Sequence, residues 1–190
     1  MNTFTHILAK INWLDVAMLG LLIRIVFIGV KTGFVTELFK LLGVICGLFA
    51  GLHYYMVLAI WVGQKTGCPI ENQKLAFFVL MVSVVMIAVT LFRNGFLMVF
   101  KFETANEGVN QWGSGVLSVI RALFLASLIM FGLLLTHVEW VQKQIFTSIS
   151  HNLALKAGPN TYSFLYHNLV GKLFSKERFN AEVFNVITHK

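Results

Sequence analysis

The side chains with chemistry to offer lie in apolar surroundings. Asp15, Arg24, Glu37, Lys40, His53 and Arg121 all fall inside or at the edge of long hydrophobic runs. A lone charge inside hydrocarbon costs about 2.5–3.5 kcal/mol on insertion scales, so each needs a partner, a wet cavity or a headgroup. The chemistry open to them is ion pairing and the attraction of an anion or a lipid headgroup. Asp15 and Arg24 are nine residues apart, which puts them on opposite faces of a helix and about 13 Å apart along it. They do not pair with each other. The expectation is that Asp15 or Glu37 meets Arg121 or Lys40 across helices. Glu37 and Lys40, three residues apart, already share a helical face.

Signals of catalysis are faint. His6, His53, His137, His151, His167 and His189 are scattered and show no H-E-x-x-H spacing. His137 and Glu139 are two apart and so do not share a helix face. Ser148, Ser150 and His151 lie together in a polar stretch, where such neighbours are common, and are not read as catalytic. Gly113-Ser114-Gly115 is isolated and reads as a loosened start to a helix rather than a phosphate cradle. Cys46 reads as a small buried hydrophobe and Cys68, beside Pro69, as a loop residue, with no disulfide framework. No catalytic residue, metal site or cofactor is expected, and the chain is read as not an enzyme.

The elements that must position these side chains are helices in a bilayer. Of 190 residues, 57% are hydrophobic and 12% charged, against about 25% charged in an ordinary soluble domain. A soluble domain of this size has too little interior to hide so much apolar surface. Four blocks carry it, at residues 13–30, 41–63, 75–92 and 116–135. Each is long enough to cross a hydrocarbon core as a helix. Asn12 is placed to cap the first, with Asp15 three residues on. Lys31-Thr32-Gly33 breaks the first helix from the second, and residues 64–74 form a loop. His53 is tolerable in the second block if it donates to a neighbour, while Tyr54, Tyr55 and Trp61 read as its aromatic girdle. Residues 93–115 form the longest polar connection, with apolar 97–100 inside it extending the third helix or dipping into the interface. Arg24 and Arg121 read equally as topology anchors and as a buried polar pair or headgroup site.

Gly43, Gly47 and Gly51, four apart, make a bare stripe on one face of the second helix. Such a stripe lets another helix approach closely, either within one subunit or at an oligomer seam. Beyond residue 136 the character changes, and Gly158-Pro159 reads as a break. Tyr162, Leu165, Tyr166, Leu169, Val170, Leu173 and Phe174 then follow the i, i+3, i+4, i+7 rule. That segment is too short and polar to cross easily, so it reads as an amphipathic helix on the membrane surface or on a partner. The expected organisation is an all-α polytopic membrane protein: a four-helix transmembrane domain at 1–136 and an amphipathic interfacial tail at 137–190.

Formal net charge is +7. The charges sit between or beyond apolar blocks rather than on one stripe, which disfavours nucleic acid and favours anionic lipid. Four spans put both termini on one side with Lys10, Lys65, Lys74 and Lys143, against Lys31, Arg93 and Lys101 on the other. That small bias favours cytoplasmic termini.

Two stretches carry a resemblance. Residues 12–47, NWLDVAMLG…IGVKTGFVTELFKLLGVICG, show Asp15 after an aromatic, then Gly29, Gly33-Phe34, Glu37 and Gly43. Residues 109–125, VNQWGSGVLSVIRALFL, show Arg121 inside the last apolar block. In order and spacing these resemble the colicin V production protein family, over roughly residues 12–155 and including a serine-containing segment near 148–150. Asn110 stands where that family usually has an aspartate, and Ser114 and Ser118 stand where glycines are usual. The resemblance implies a bacterial inner-membrane protein tied to production or export of colicin V and to envelope robustness, with no biochemical activity implied. The expected role is an accessory or scaffold protein whose partners are the bilayer, secretion or envelope proteins and a second copy of itself. The alternative is a small oligomeric transporter or channel.

Overall fold

The computed structural model describes residues 12–99, 107–174 and 177–188. Expectations that fall on Lys10, Lys101, His6 and His189 lie outside the described residues. No strand occurs among the described residues. Four helices are long and apolar enough to cross a membrane: α1 (Trp13–Thr32), α2 (Phe34–Thr66), α3 (Ile70–Val99) and α4 (Glu107–Leu134). Shorter pieces follow: α5 (Glu139–Thr147), α6 (Lys156–Leu165) and α7 (Glu182–Thr188).

The helices overrun the blocks read from hydropathy. α2 starts seven residues earlier and ends three residues later than its block, α3 continues through Arg93, and α4 begins before Gly113-Ser114-Gly115. Those glycines were expected to loosen a helix start, and the structure corrects this: they lie within α4 because neighbouring helices, not solvent, flank them. Phe34 covers the Cα of Gly113, where an added Cβ would meet the ring at 2.7 Å.

Gly33 makes the turn between α1 and α2. Its φ of 84° and ψ of 154° belong to a region open essentially to glycine. The first helix starts at Asn12, whose N–H donates to the Asp15 carboxylate at 3.2 Å. α2 ends where the Gly67 N–H closes on the Gly63 carbonyl at 2.9 Å.

The bundle is layered in the order α1, α4, α2, α3, with α2 against α3 as the most extensive contact. α2 and α4 form the inside: half of the apolar window of each is buried, against 11% for α1 and 6% for α3. Val16, Leu19, Ile23 and Phe27 on α1, and Val84, Ile87, Leu91 and Phe92 on α3, face outward. Large contiguous apolar faces of this kind need a non-aqueous surround. The chain is therefore a multi-pass membrane protein.

Gly43, Gly47 and Gly51 are all buried on the face of α2 that meets α3. A Cβ on Gly47 would stand 3.5 Å from Met86, and one on Gly51 would stand 2.6 Å from Val82. The stripe thus lies at a seam inside one chain. Of the expected girdle, Trp61 and Tyr54 are exposed, but Tyr55 is fully buried. It packs edge-on to Phe78 and Phe131 and joins the core rather than the rim, which corrects that expectation.

The segment after α5 departs most from expectation. Gly158-Pro159 does not break the helix. The backbone is π-wound at His151–Leu155, runs on as α6 through Pro159, is π-wound again at Tyr166–Val170 and ends in a turn at Gly171–Leu173. The wider winding just before the proline makes room for its ring, which would clash with a regular preceding turn. Nor does 161–174 lie as one amphipathic helix with a single buried face. Tyr162 is fully buried, whereas Leu169, Leu173 and Phe174 are exposed. The Gly158 N–H donates to Ser127 on α4 at 2.8 Å. Ser127 lies seven residues inside α4 from Leu134, about 10 Å along the helix. The segment reaches down the side of the bundle and seats against α2 and α4.

Candidate functional site

The polar side chains inside the bundle gather into two joints, each built on one carboxylate. Glu37 sits in the first turn of α2 and is fully buried. Its Oε1 accepts from the Thr32 hydroxyl and the Lys40 ammonium, both at 2.6 Å. Its Oε2 faces the Arg121 guanidinium and the Ser118 hydroxyl of α4, both at 3.1 Å. Sequence spacing brings Thr32 and Lys40 within reach, since a helix end and one helical turn flank Glu37. Ser118 and Arg121, three apart on α4, complete the shell from across the bundle.

Gly29 is what lets α1 approach this cluster. A Cβ there would collide with the Ser118 side chain. The neighbouring turn is tied by Asn110, whose side-chain oxygen accepts the Phe34 N–H at 2.7 Å. An acceptor is all that this tie requires, and the Asn110 side chain supplies it. Ser114 and Ser118 are both fully buried, and each hydroxyl lies against a backbone carbonyl of its own helix, as well as Glu37 for Ser118.

The second joint is at the opposite end of α1. Asp15 Oδ1 accepts from the Ser148 hydroxyl at 2.6 Å, the Ser150 N–H at 3.0 Å and the Ser150 hydroxyl at 2.5 Å. Its Oδ2 accepts the N–H groups of Asn12 and Ile149 at 3.2 Å. Asp15 therefore does not meet Arg121 or Lys40, one of the pairings left open by the sequence. It is satisfied by neutral donors from a segment 133–135 residues away. Asn12 adds a bond from its side chain to the Gln144 carbonyl at 2.9 Å. Trp13 stacks on Trp140 with ring centres 5.8 Å apart.

Arg24 joins neither cluster. It lies on the exposed face of α1, with no bonded partner among the described residues.

Sequence reasoning missed a third polar contact. His53 Nδ1 lies 3.0 Å from the Tyr162 hydroxyl, and its Nε2 lies 3.1 Å from a Glu177 carboxylate oxygen. Burial, with lesser contributions from nearby charges, pushes the Tyr162 phenol up to about 12. Its oxygen also accepts the Asn180 N–H at 2.9 Å. The only signal in the sequence was a polar ring inside an apolar block, which asks for a partner without naming it.

At the same end of the bundle, Glu71 meets Lys74 and His137, both at 2.9 Å. The Lys74 hydrogen bond holds the Glu71 carboxyl below its usual range. Among the described residues no three His, Cys, Asp or Glu side chains converge as metal ligands do.

The comparisons bear on this geometry directly. A family model described as colicin V production protein matches residues 14–159. No curated protein and no solved structure matches the chain. The matched stretch holds both joints, from Asp15 and Glu37 through Asn110, Ser118 and Arg121 to Ser148 and Ser150, and it stops at Pro159. Spanning most of the sequence and all four membrane helices, this match shows that the chain belongs to the colicin V production protein family.

Proposed function

We propose that the chain is an accessory scaffold of the bacterial inner membrane, with cytoplasmic termini, that supports colicin V production and secretion and helps maintain the envelope. One observation carries this reading. The apolar spans of the four helices, Trp13–Thr32, Phe34–Thr66, Gln73–Val99 and Asn110–Leu134, hold two carboxylates, Asp15 and Glu37. Asp15 accepts five hydrogen bonds and Glu37 is held by two cations and two hydroxyls, all from within the chain. Proton-coupled transport and acid–base catalysis draw on carboxylates with donor and acceptor capacity to spare. Here that capacity is used to lock α1 to α2, α4 and the segment after α5. The family match supports the link to colicin V, and the lysine distribution supports the orientation.

Deletion of the chain's gene in a colicin V-producing strain tests the reading. Released toxin, measured as growth inhibition of a sensitive lawn, is expected to fall and to return with the wild-type chain but not with Glu37→Gln. Full release from the deletion strain contradicts the role in production. Charge-dependent solute flux in proteoliposomes of the purified chain contradicts the scaffold and favours a small oligomeric transporter.

A further inference from the structure

α2, α3 and α4 enclose a cavity of about 200 Å³ on the Glu37 side of the bundle. Its polar lining is Lys40, Thr90, Arg93 and Arg121, set among apolar walls such as Phe39 and Met86. The charges do not balance. Lys40 and Arg121 share the single carboxylate of Glu37. Arg93 spends two of its N–H groups on the neutral side-chain oxygen of Asn94, at 2.8 and 3.2 Å. Among the described residues, three cations against one anion leave a net +2 at membrane depth.

Arg121 carries the second observation. It is 8% exposed, and its Nε–H is buried with no acceptor among the described residues. A buried donor on a charged group that goes unmet is expensive, which is why such donors are rarely left over. An anion in the cavity, which the Arg121 side chain lines, supplies the negative charge that these cations lack.

Size and depth narrow the anion. Lys40 lies six residues after Phe34 in α2 and Arg93 six before Val99 in α3, each about 9 Å from its helix end. That is within reach of the headgroup layer for long side chains. The volume suits one phosphate group and falls below the roughly 300–1,000 Å³ of pockets for larger organic ligands. Phosphate offers the several acceptor oxygens that two guanidinium groups and an ammonium can share.

We propose that this cavity binds a phosphate-bearing anion, either an anionic lipid headgroup or free phosphate, held by Arg121, Arg93 and Lys40. The proposal goes beyond the scaffold reading and stands whether or not that reading holds.

The test uses the purified full-length chain. In one arm it is placed in phosphatidylcholine vesicles doped with photo-crosslinkable phosphatidylglycerol or, as control, photo-crosslinkable phosphatidylcholine, and adducts are mapped by mass spectrometry. In the other, inorganic phosphate is titrated calorimetrically into the detergent-solubilised chain. Adducts at Phe39 and Met86 with phosphatidylglycerol but not phosphatidylcholine support a lipid source. Saturable binding of inorganic phosphate supports a free one. In either arm Arg93→Gln is expected to weaken the signal about tenfold and Arg93→Lys to retain most of it. Among the described residues Arg93 bonds only its neighbour Asn94, so Arg93→Gln should melt with the wild type. Should it misfold, the wild-type preference between the two lipids and its phosphate titration decide alone. Equal labelling by both lipids together with no phosphate binding overturns the proposal, as does binding that Arg93→Gln leaves unchanged.

Discussion

Two arginines inside apolar blocks look alike in the sequence and differ in consequence. Arg121 is nearly buried and shares Glu37, which has no exposure at all. Removing one member of a buried pair strands the other in a medium that solvates it poorly, at a cost of about 3–5 kcal/mol. Lys40 softens this, since it stays bonded to Glu37 at 2.6 Å. Arg24 is on the outer face and holds no carboxylate. Leucine in its place removes an insertion penalty on the order of 3 kcal/mol. Arg121→Leu is therefore expected to lower the melting temperature in detergent clearly, while Arg24→Leu leaves it unchanged or raises it. Equal effects of the two substitutions would show that the Glu37 joint does not hold the bundle. The need of Glu37 for a cation was legible because isolated charges in lipid are costly and few candidates exist. The partners of Asp15 were not. Serine hydroxyls and backbone N–H groups occur everywhere in a polar stretch, and only the fold brings Ser148 and Ser150 across to it.

Among the elements, the four long helices were legible as long apolar runs, and Gly33 as their first break. Their ends were not, because tertiary ties such as Phe34 to Asn110 prolong helices into stretches that look polar. The segment after α5 was the least legible. Its apolar spacing suited a surface helix, yet two π-wound stretches rotate the faces and turn Tyr162 inward. A pH effect should arise at the first of these stretches. Burial, helped by the Lys156 ammonium, holds the His151 imidazole below its ordinary value of 6.5. The folded chain therefore favours the neutral ring, which packs edge-on to Phe146. Its contribution to stability is complete above pH 6.5 and is lost as the pH falls from there through the lower folded value. The protection factors of amides across 151–165, taken against the base-catalysed intrinsic rate, are expected to fall as the pH drops from 7.5 to 5.5, and His151→Asn should remove that dependence. An unchanged profile in the variant assigns the effect elsewhere.

At the scale of the whole molecule, both carboxylate joints serve one end: they close the chain on itself and leave α1 and α3 as its outer walls. Two native cysteines report on what touches those walls. Cys46 is exposed on α2, in the middle of an apolar block, and Cys68 is exposed in the short connection between α2 and α3. Solvent exposure alone makes them equivalent. A bilayer separates them, because a charged maleimide reacts with the thiolate and neither reagent nor thiolate enters hydrocarbon readily. In native membranes Cys68 is expected to be labelled within minutes and Cys46 only after the protein is denatured in detergent. The side from which Cys68 reacts also reports orientation, since the connection after α2 lies on the same side as the start of α1 and the end of α4. With cytoplasmic termini, the reagent labels Cys68 in inverted vesicles and not in intact spheroplasts. Labelling in spheroplasts reverses the orientation while leaving the fold intact. Labelling of Cys46 as fast as Cys68 in native membranes is the graver result, because the outward faces of this bundle then meet water and no arrangement of its polar joints offsets the exposed apolar surface.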